Sequence, residues 1–347
     1  MIKQKIARLI ISLVLVLGSF VLGSCVSITN KTITGEQSGE IWSEDSIYDR
    51  ESVPALVKKQ NEDFKILLFS DIQLDSFLND AIALELVDTL VKEVRPDMIM
   101  TAGDNTAWIF ADDLTLKLIS QMESYNIPWG VTLGNHDSEG SADRIWHGNQ
   151  YENAANSLFS SGPSNIQGIG NYSVNIEDED GNIIYTLIMM DSNVKRAYED
   201  ENDYDYIYDN QIEWYEWLIK GITSSENKVL PSMLFFHIPL PEFKDTADAW
   251  KNNEIGEAYA FGEIRERVCC PPVNTGLFDS AMNLGSTTHI FCGHDHVNNL
   301  SVDWKGIRLT YGLKTGPASY SNSDMQGATL ITIMADGNEV KVEHIFK

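Results

Sequence analysis

Short apolar runs recur along the chain, each closed by a polar cluster. Phe64 to Phe69 is apolar apart from Lys65 and stops at Ser70-Asp71, the signature of a short buried strand. From 79 to 94 apolar residues return at helical spacing, at Ile82, Leu84, Leu86, Val87, Leu90 and Val91. Met98 to Ala102 predicts a second buried strand ending in Gly103-Asp104, residues 111–125 a second helix, and Trp129 to Gly134 a third strand. Strands and helices alternating at this pitch predict parallel βαβ units. The middle of the chain differs. Tyr172 to Ile176 and Ile183 to Met190 flank Asp180-Gly181, a hairpin signal. Residues 210–222 predict a helix whose Trp214, Tyr215, Trp217 and Leu218 are most simply core residues. Met233 to His237 and His289 to Cys292 are again strand-like. Asn299 to Thr310 and Ala328 to Phe346 alternate polar and apolar, the second around a turn at Ala335-Asp336-Gly337-Asn338. The expected fold class is therefore α/β, with two mixed β-sheets packed face to face and helices outside. No internal repeat interrupts it.

The first residues form a separate unit. Lys3, Lys5 and Arg8 precede an apolar run from Leu9 to Leu22, which is too short and wrongly flanked for a stable span. The run ends in Leu22-Gly23-Ser24-Cys25, which resembles the bacterial lipobox, where cleavage precedes the cysteine and its thiol carries lipid. A plain secretory signal with a chance cysteine, or an uncleaved anchor, is the alternative. Several acyl chains on Cys25 hold a soluble domain stably, whereas one does not. The expected organisation is a lipoprotein signal peptide over 1–24, a polar flexible tether over 25–60 and a catalytic domain over 61–347. The expected location is the bacterial cell envelope, with Cys25 lipid as the membrane partner. Val26 after Cys25 gives no cue for inner-membrane retention.

The formal charge of −26 becomes −29 once the three basic residues of 1–24 are removed. That balance argues against a nucleic-acid partner or an anionic membrane docked through a basic patch. Cys269 and Cys270 are adjacent and Cys292 lies in an apolar run; one of the pair bridges Cys292, or all three are free thiols. The acid- and tyrosine-rich stretch from Tyr198 to Asp209 reads as a solvated loop rather than a cation site.

The chemistry is concentrated where the apolar strands end, the place at which open α/β sheets build their sites. Ser70-Asp71-Ile72-Gln73, Gly103-Asp104-Asn105, Gly134-Asn135-His136-Asp137, His237 and Gly293-His294-Asp295-His296 follow five such strands. Carboxylate, amide and imidazole donors suit Mn, Fe or Zn rather than Cu(I). His294 and His296 are two apart, so in an extended chain they point the same way, with Asp295 opposite; Asp71 and Gln73 share that relation. Glycine before Asp104, Asn135 and His294 permits a sharp turn there. A given tetrapeptide arises by chance on the order of once per 10⁵ positions. Two such signatures in one chain, each after a strand, are not an accident of composition.

This ordered set resembles the calcineurin-like metallophosphoesterase superfamily, whose pattern runs Asp-x-His, Gly-Asp, Gly-Asn-His-Asp/Glu, a lone His and Gly-His-x-His. The resemblance spans roughly residues 62–312. Phe235 to Pro241 and Cys269 to Phe278 look like its purple-acid-phosphatase-like branch. It implies a four-layer αββα sandwich and a centre of two divalent or trivalent metal ions. By that resemblance Asp104 bridges both metals, Asp71 and His296 complete one site, and Asn135, His237 and His294 complete the other. His136 stays off the metals beside the leaving oxygen, with Asp137 holding its tautomer. Gln73 replaces the family's first histidine and is the weaker expected ligand. Ala107 stands where a purple acid phosphatase has tyrosine, so no purple tyrosinate colour is expected.

The implied function is hydrolysis of a small phosphate monoester by a metal-bridging hydroxide, with His136 as general acid. A phosphodiesterase or pyrophosphatase using the same centre, or a non-catalytic surface binding lipoprotein, is the rival; Gln73 favours the last. Outside the motifs, Arg144 and His147 read as a surface loop rather than a substrate-facing one, His147, His289 and His344 as structural or surface residues, and Glu263, Arg265 and Glu266 as a charged helix face rather than substrate contacts. Asp295 is balanced between a partner behind the metals and a solvated acid. The metals' identity and the oligomer are not legible.

Overall fold

The computed structural model describes residues 33–37, 39–75, 77–198 and 201–347. The expected signal peptide and Cys25 lie outside them. Among the described residues, fifteen strands fall into two large sheets and a small ribbon. The first sheet has five strands: β2 (Phe64–Phe69), β3 (Met98–Ala102), β4 (Trp129–Thr132), β14 (Gly327–Ile333) and β15 (Val340–Phe346). Their order is β15-β14-β2-β3-β4. β2, β3 and β4 run parallel, as their βαβ pattern requires, while β14 and β15 return antiparallel. The second sheet has eight strands: β1 (Ala55–Val57), β5 (Tyr172–Glu177), β6 (Ile183–Met189), β9 (Ser232–Phe235), β10 (Ala260–Phe261), β11 (Thr287–Cys292), β12 (Ser301–Trp304) and β13 (Ile307–Tyr311). They lie in the order β1-β5-β6-β9-β11-β13-β12-β10. The ribbon pairs β7 (Lys195–Tyr198) with β8 (Glu201–Tyr204).

Alternation along the strands makes the layers. Leu187 and Met189 of β6, Met233 and Phe235 of β9 and Phe291 of β11 join the core shared with the five-stranded sheet. Their neighbours Ile188, Leu234, Ile290 and Cys292 face a second core. That core is completed by α4 (Asp209–Glu226), α5 (Pro241–Lys251) and α6 (Leu277–Leu284), through Trp214, Tyr215, Phe243 and Phe278. On the far side, α1 (Phe77–Val94) and α2 (Ala111–Glu123) bury Val87, Leu90, Leu118 and Met122 against the smaller sheet. Period-two strands with two apolar faces and helices with one stripe leave a four-layer αββα sandwich as the packing that buries every apolar face.

Several expectations are corrected. The tether expected over 25–60 is packed structure from Ile33 onward. Ile33 N–H donates to Ser141 O at 2.9 Å, Trp42 and Tyr48 set their rings edge-on to Trp217, and β1 pairs parallel with β5. Apolar surface on α4 and an unpaired edge of β5 give this segment something to bind, and its own composition does not reveal that. The expected loop at Arg144 and His147 is α3 (Arg144–Glu152), capped by Asp143, whose carboxylate accepts from Trp146 N–H at 2.8 Å. His147 is fully buried. The stretch around Tyr198 includes the β7–β8 ribbon. Arg265 lies in a loop after β10, paired with Glu263 and Asp324, so no helix carries those charges. Cys269, Cys270 and Cys292 are free thiols. No helix among the described residues is long and apolar enough to cross a membrane.

Candidate metal centre

Each expected ligand follows the C-terminal end of a strand. Asp71 follows β2, Asp104 follows β3, and Asn135 follows β4; His237 follows β9, and His294 and His296 follow β11. The chain turns abruptly there. Asp71, Gln73, Asp104 and His294 adopt φ of 49°, 45°, 48° and 78°. Left-handed backbone in residues with a Cβ costs about 1–3 kcal/mol each and gathers where function demands it. Glycines allow the loops to close on one another. At Gly103, itself at φ +80°, an added Cβ would stand 2.6 Å from the His237 ring.

Two cages result, with donor atoms in each lying within 4.8 Å of one another: Asp104, His237 and His294 in one, Asp71, Asp104 and His296 in the other. Asp104 belongs to both. His237 Nδ1–H donates to Ala102 O and His296 Nδ1–H to Tyr320 O, each at 2.8 Å, which fixes the tautomer and leaves Nε2 for the cage. His237 Nε2 then lies 3.3 Å from Asp104 Oδ2 and 3.3 Å from His294 Nδ1. His296 Nε2 lies 3.4 Å from Asp71 Oδ1. Lone pairs converging this closely call for a shared proton or a metal ion between them. Asp71 Oδ1, Asn135 Oδ1 and His294 Nε2 are buried and have no hydrogen-bond partner among the described residues. Orphaned donor atoms of metal-ligand type, arranged around shared Asp104, fit a pair of metal ions.

The electrostatics agree. Burial works to raise the Asp71 and Asp104 carboxyls, but the close approach of His296 to Asp71 and the charges of His237, His296 and Lys314 outweigh it at Asp71. His237 and His136 do so at Asp104, and both carboxyls sit well below the usual range. Burial pulls His237 down, yet Asp104 and Asp71 carry it up to about 9. His294, buried beside His237, falls to about 3. The pocket is anionic enough to hold a proton on His237, and the same field attracts a metal ion.

The expectation for Asp137 is corrected. Its oxygens accept from Gly134 N–H at 2.7 Å, Thr106 N–H at 2.9 Å and Asn105 Nδ2 at 3.1 Å, so it ties the loop after β3 to the loop after β4. His136 Nδ1 instead meets Glu139 Oε1 at 2.7 Å, and the other Glu139 oxygen accepts from Trp108 N–H at 2.8 Å. The tautomer-holding role thus falls to Glu139. His136 Nε2 stands 3.9 Å from Asp104 Oδ2, at the edge of the cages. Gln73 is also corrected as a ligand. Its Oε1 accepts from Lys314 Nζ at 2.6 Å, and its Nε2 faces Asp104 Oδ2 at 3.3 Å. Asp295 is buried, accepting from Tyr311 Oη at 2.7 Å, from Asn298 Nδ2 and from Cys269 N–H, and burial raises it to about 6.

Glu139, Lys314, Tyr204 and Tyr320 were missed in the sequence. Tyr204 places its ring edge-on to His294 at 4.2 Å, and Tyr320 stacks on His296 at 4.2 Å. Only Glu139, three residues after His136, had a local signal. A cleft of about 90 Å³ lies beside the centre, lined by Gln73, Ala107, Trp108, His136, Glu139, Ala318 and Ser319. A larger cavity of about 550 Å³, lined by Trp42, Tyr48 and Trp217 among others, includes none of the cage residues.

Residues 64–298 match the family described as calcineurin-like phosphoesterase, a stretch that carries every cage residue. The chain belongs to the calcineurin-like phosphoesterase family. Among this family member's relatives is the "Probable inactive purple acid phosphatase 14" of Arabidopsis thaliana, 30% identical over 277 residues, 72% of this chain and 64% of that protein. The "Probable inactive purple acid phosphatase 28" of the same plant is 27% identical over 295 residues, 74% of this chain and 71% of its own length. The "Phosphatase DCR2" of Saccharomyces cerevisiae is 29% identical over 231 residues, 61% of this chain and 38% of that protein. The chain thus spans under two thirds of the first of these relatives. A solved dimetal phosphatase from Danio rerio superposes with TM-score 0.47 at 10% identity, over 81% of this chain and 98% of that one, too distant a likeness to bear on the chemistry.

Proposed function

We propose that this phosphoesterase hydrolyses small phosphate monoesters at a dinuclear Mn, Fe or Zn centre. The observation that carries the reading is the pair of cages sharing Asp104 with His136 at their rim. Bound metal ions supply positive charge against the phosphoryl oxygens and acidify water. The chain's own part is positional. Asp104 fixes the spacing of the cages, and its Oδ1 is held by His136 N–H at 2.8 Å. Glu139 accepts from Nδ1–H of His136, so Nε2 faces the cleft, and the imidazolium form presents its Nε2 proton to a departing oxygen. The cleft is narrow and open to solvent beside Trp108, which suits a compact phosphate with a variable leaving group. The preference for monoesters draws on the likeness to purple acid phosphatases. Export and a lipid on Cys25 belong to the same proposal; palmitate labelling that survives Cys25→Ser would remove them.

The test is turnover of p-nitrophenyl phosphate and of its bis ester by the purified full chain with Mn, Zn or Fe. Monoester hydrolysis is expected to exceed diester hydrolysis, and His136→Ala to lower kcat by about 10²–10⁴-fold with metal content kept. A second reading, a metal-holding binder without turnover, is favoured by Gln73 facing Lys314 and by the word "inactive" in the plant relatives' names. Full metal loading with no hydrolysis of either ester would select it.

A further inference from the structure

Resting on the dinuclear reading, we infer that the two cages are unequal and that Lys314 makes them so: its side chain, bonded to Gln73 Oε1 and to Asp71 O behind the Asp71 cage, takes a donor away from that cage, which therefore holds its ion weakly, while the Asn135 cage holds one tightly.

Compare the donors. Asp104, His237 and His294 surround one position, and Asn135, whose buried Oδ1 has no partner among the described residues, offers a fourth donor from the loop whose His136 N–H bonds Asp104 Oδ1. Asp71, Asp104 and His296 surround the other with three. Gln73 stands where a fourth donor belongs, but its oxygen is taken. Lys314 Nζ donates to Gln73 Oε1 at 2.6 Å and to Asp71 O at 3.2 Å, and Lys314 is only 2% exposed. A lysine nitrogen has only protons to give, so the amide atom facing it is the oxygen. Turning that oxygen toward a metal would set the Gln73 NH₂ against the ammonium and leave a buried donor short of an acceptor. Gln73 is therefore locked out of coordination by Lys314.

Charge acts in the same direction. Asp71 and Asp104 are the carboxylates that an ion in this cage neutralises, and the ammonium already stands beside them. Lys314 does not line the cleft; Gln73 lies between. Its effect falls on ion affinity rather than on substrate contact, which makes it a positioning residue. Glu139 and the β7–β8 ribbon leave the cages' donor sets unchanged.

The experiment counts ions. The metal-free full chain is titrated with Mn(II) and with Zn(II) by calorimetry, and bound metal is measured by mass spectrometry after rapid desalting. The wild type should keep one ion through desalting and bind the second roughly 100-fold more weakly. Lys314→Gln keeps a hydrogen-bonding side chain without the charge, and Lys314→Met removes both. Each should tighten the second ion about tenfold or more and leave the first unchanged. Lys314→Met combined with Gln73→His should retain two ions. A wild type that holds two ions with equal affinity overturns the inference, whether or not the variants fold. So does a folded Lys314→Gln with the wild-type affinity ratio. Ion counts are independent of turnover. One tight ion with no hydrolysis would leave this inference standing and sink the catalytic reading, and two equal ions with hydrolysis would do the reverse.

Discussion

Gly134 is the point at which a single methyl group tests the shared carboxylate. A Cβ built there would lie 2.1 Å from Asp104 N and 2.2 Å from Asp104 Oδ1, where ordinary contact begins at 3.4 Å. Gly134 has no positive φ, so Gly134→Ala perturbs through space alone. Asp104 cannot retreat freely: its carbonyl accepts from Gln73 N–H at 2.9 Å and its Oδ1 from His136 N–H at 2.8 Å. One loop must therefore give way by about 1 Å. Overpacking of this kind costs about 1–3 kcal/mol of stability. A displacement of about 1 Å at a reacting centre costs on the order of 10² in rate. Because Asp104 serves both cages, both ions should loosen together. Urea unfolding, metal content and kcat/KM on p-nitrophenyl phosphate measure the three effects. Gly256→Ala is the control, since its methyl would meet only Tyr259 at 3.9 Å. A Gly134→Ala protein with the wild type's metal content and turnover would refute the claim that both cages depend on where Asp104 stands.

Burial lowers His147 to about 4, against the opposing pull of Asp112. The unfolded chain binds a proton near pH 6.5 that the folded chain refuses until about pH 4, so this contribution is complete above 6.5 and is lost on acidification. At pH 5 the loss is about 2 kcal/mol. His147→Gln should flatten the fall in urea midpoint between pH 7 and 5 by that amount, and an unchanged slope would contradict it. Asp137→Ala strands the N–H groups of Gly134 and Thr106 and the Asn105 amide, and should cost about 2–4 kcal/mol in urea unfolding. Glu139→Gln, at a more exposed position, should leave the urea midpoint near wild type while kcat falls about 10–100-fold. The reverse pattern would return the tautomer-holding role to Asp137.

The strand ends were readable because each motif is local. A buried strand, a tight turn and a ligand lie within ten residues of one another at Phe64–Gln73 and again at Met98–Asp104. The βαβ order and the hairpin around Asp180-Gly181 were readable for the same reason. Lys314 was not, because it meets Gln73 across 241 positions and carries no pattern of its own. The segment from Ile33 to Val57 looked like a tether because its order comes from α4 and β5, more than a hundred residues away. Helices α3 and α6, of nine and eight residues, are too short for a periodic stripe to declare itself. Asp137 was assigned to His136 on the family resemblance, through the motif Gly134-Asn135-His136-Asp137 in which the two stand side by side. The turn sends their side chains apart, and only the residue three positions on comes back to the ring.

The ligands divide by element as well as by strand. The five-stranded sheet contributes oxygen only, from Asp71, Asp104 and Asn135, and the eight-stranded sheet contributes nitrogen only, from His237, His294 and His296. Neither half of the sandwich owns a complete coordination shell. Ion loading therefore rivets two layers that otherwise meet through hydrocarbon and a few hydrogen bonds, such as those from His237 Nδ1–H to Ala102 O and from Tyr172 Oη to Val131 O, and prying them apart and releasing the ions become one event.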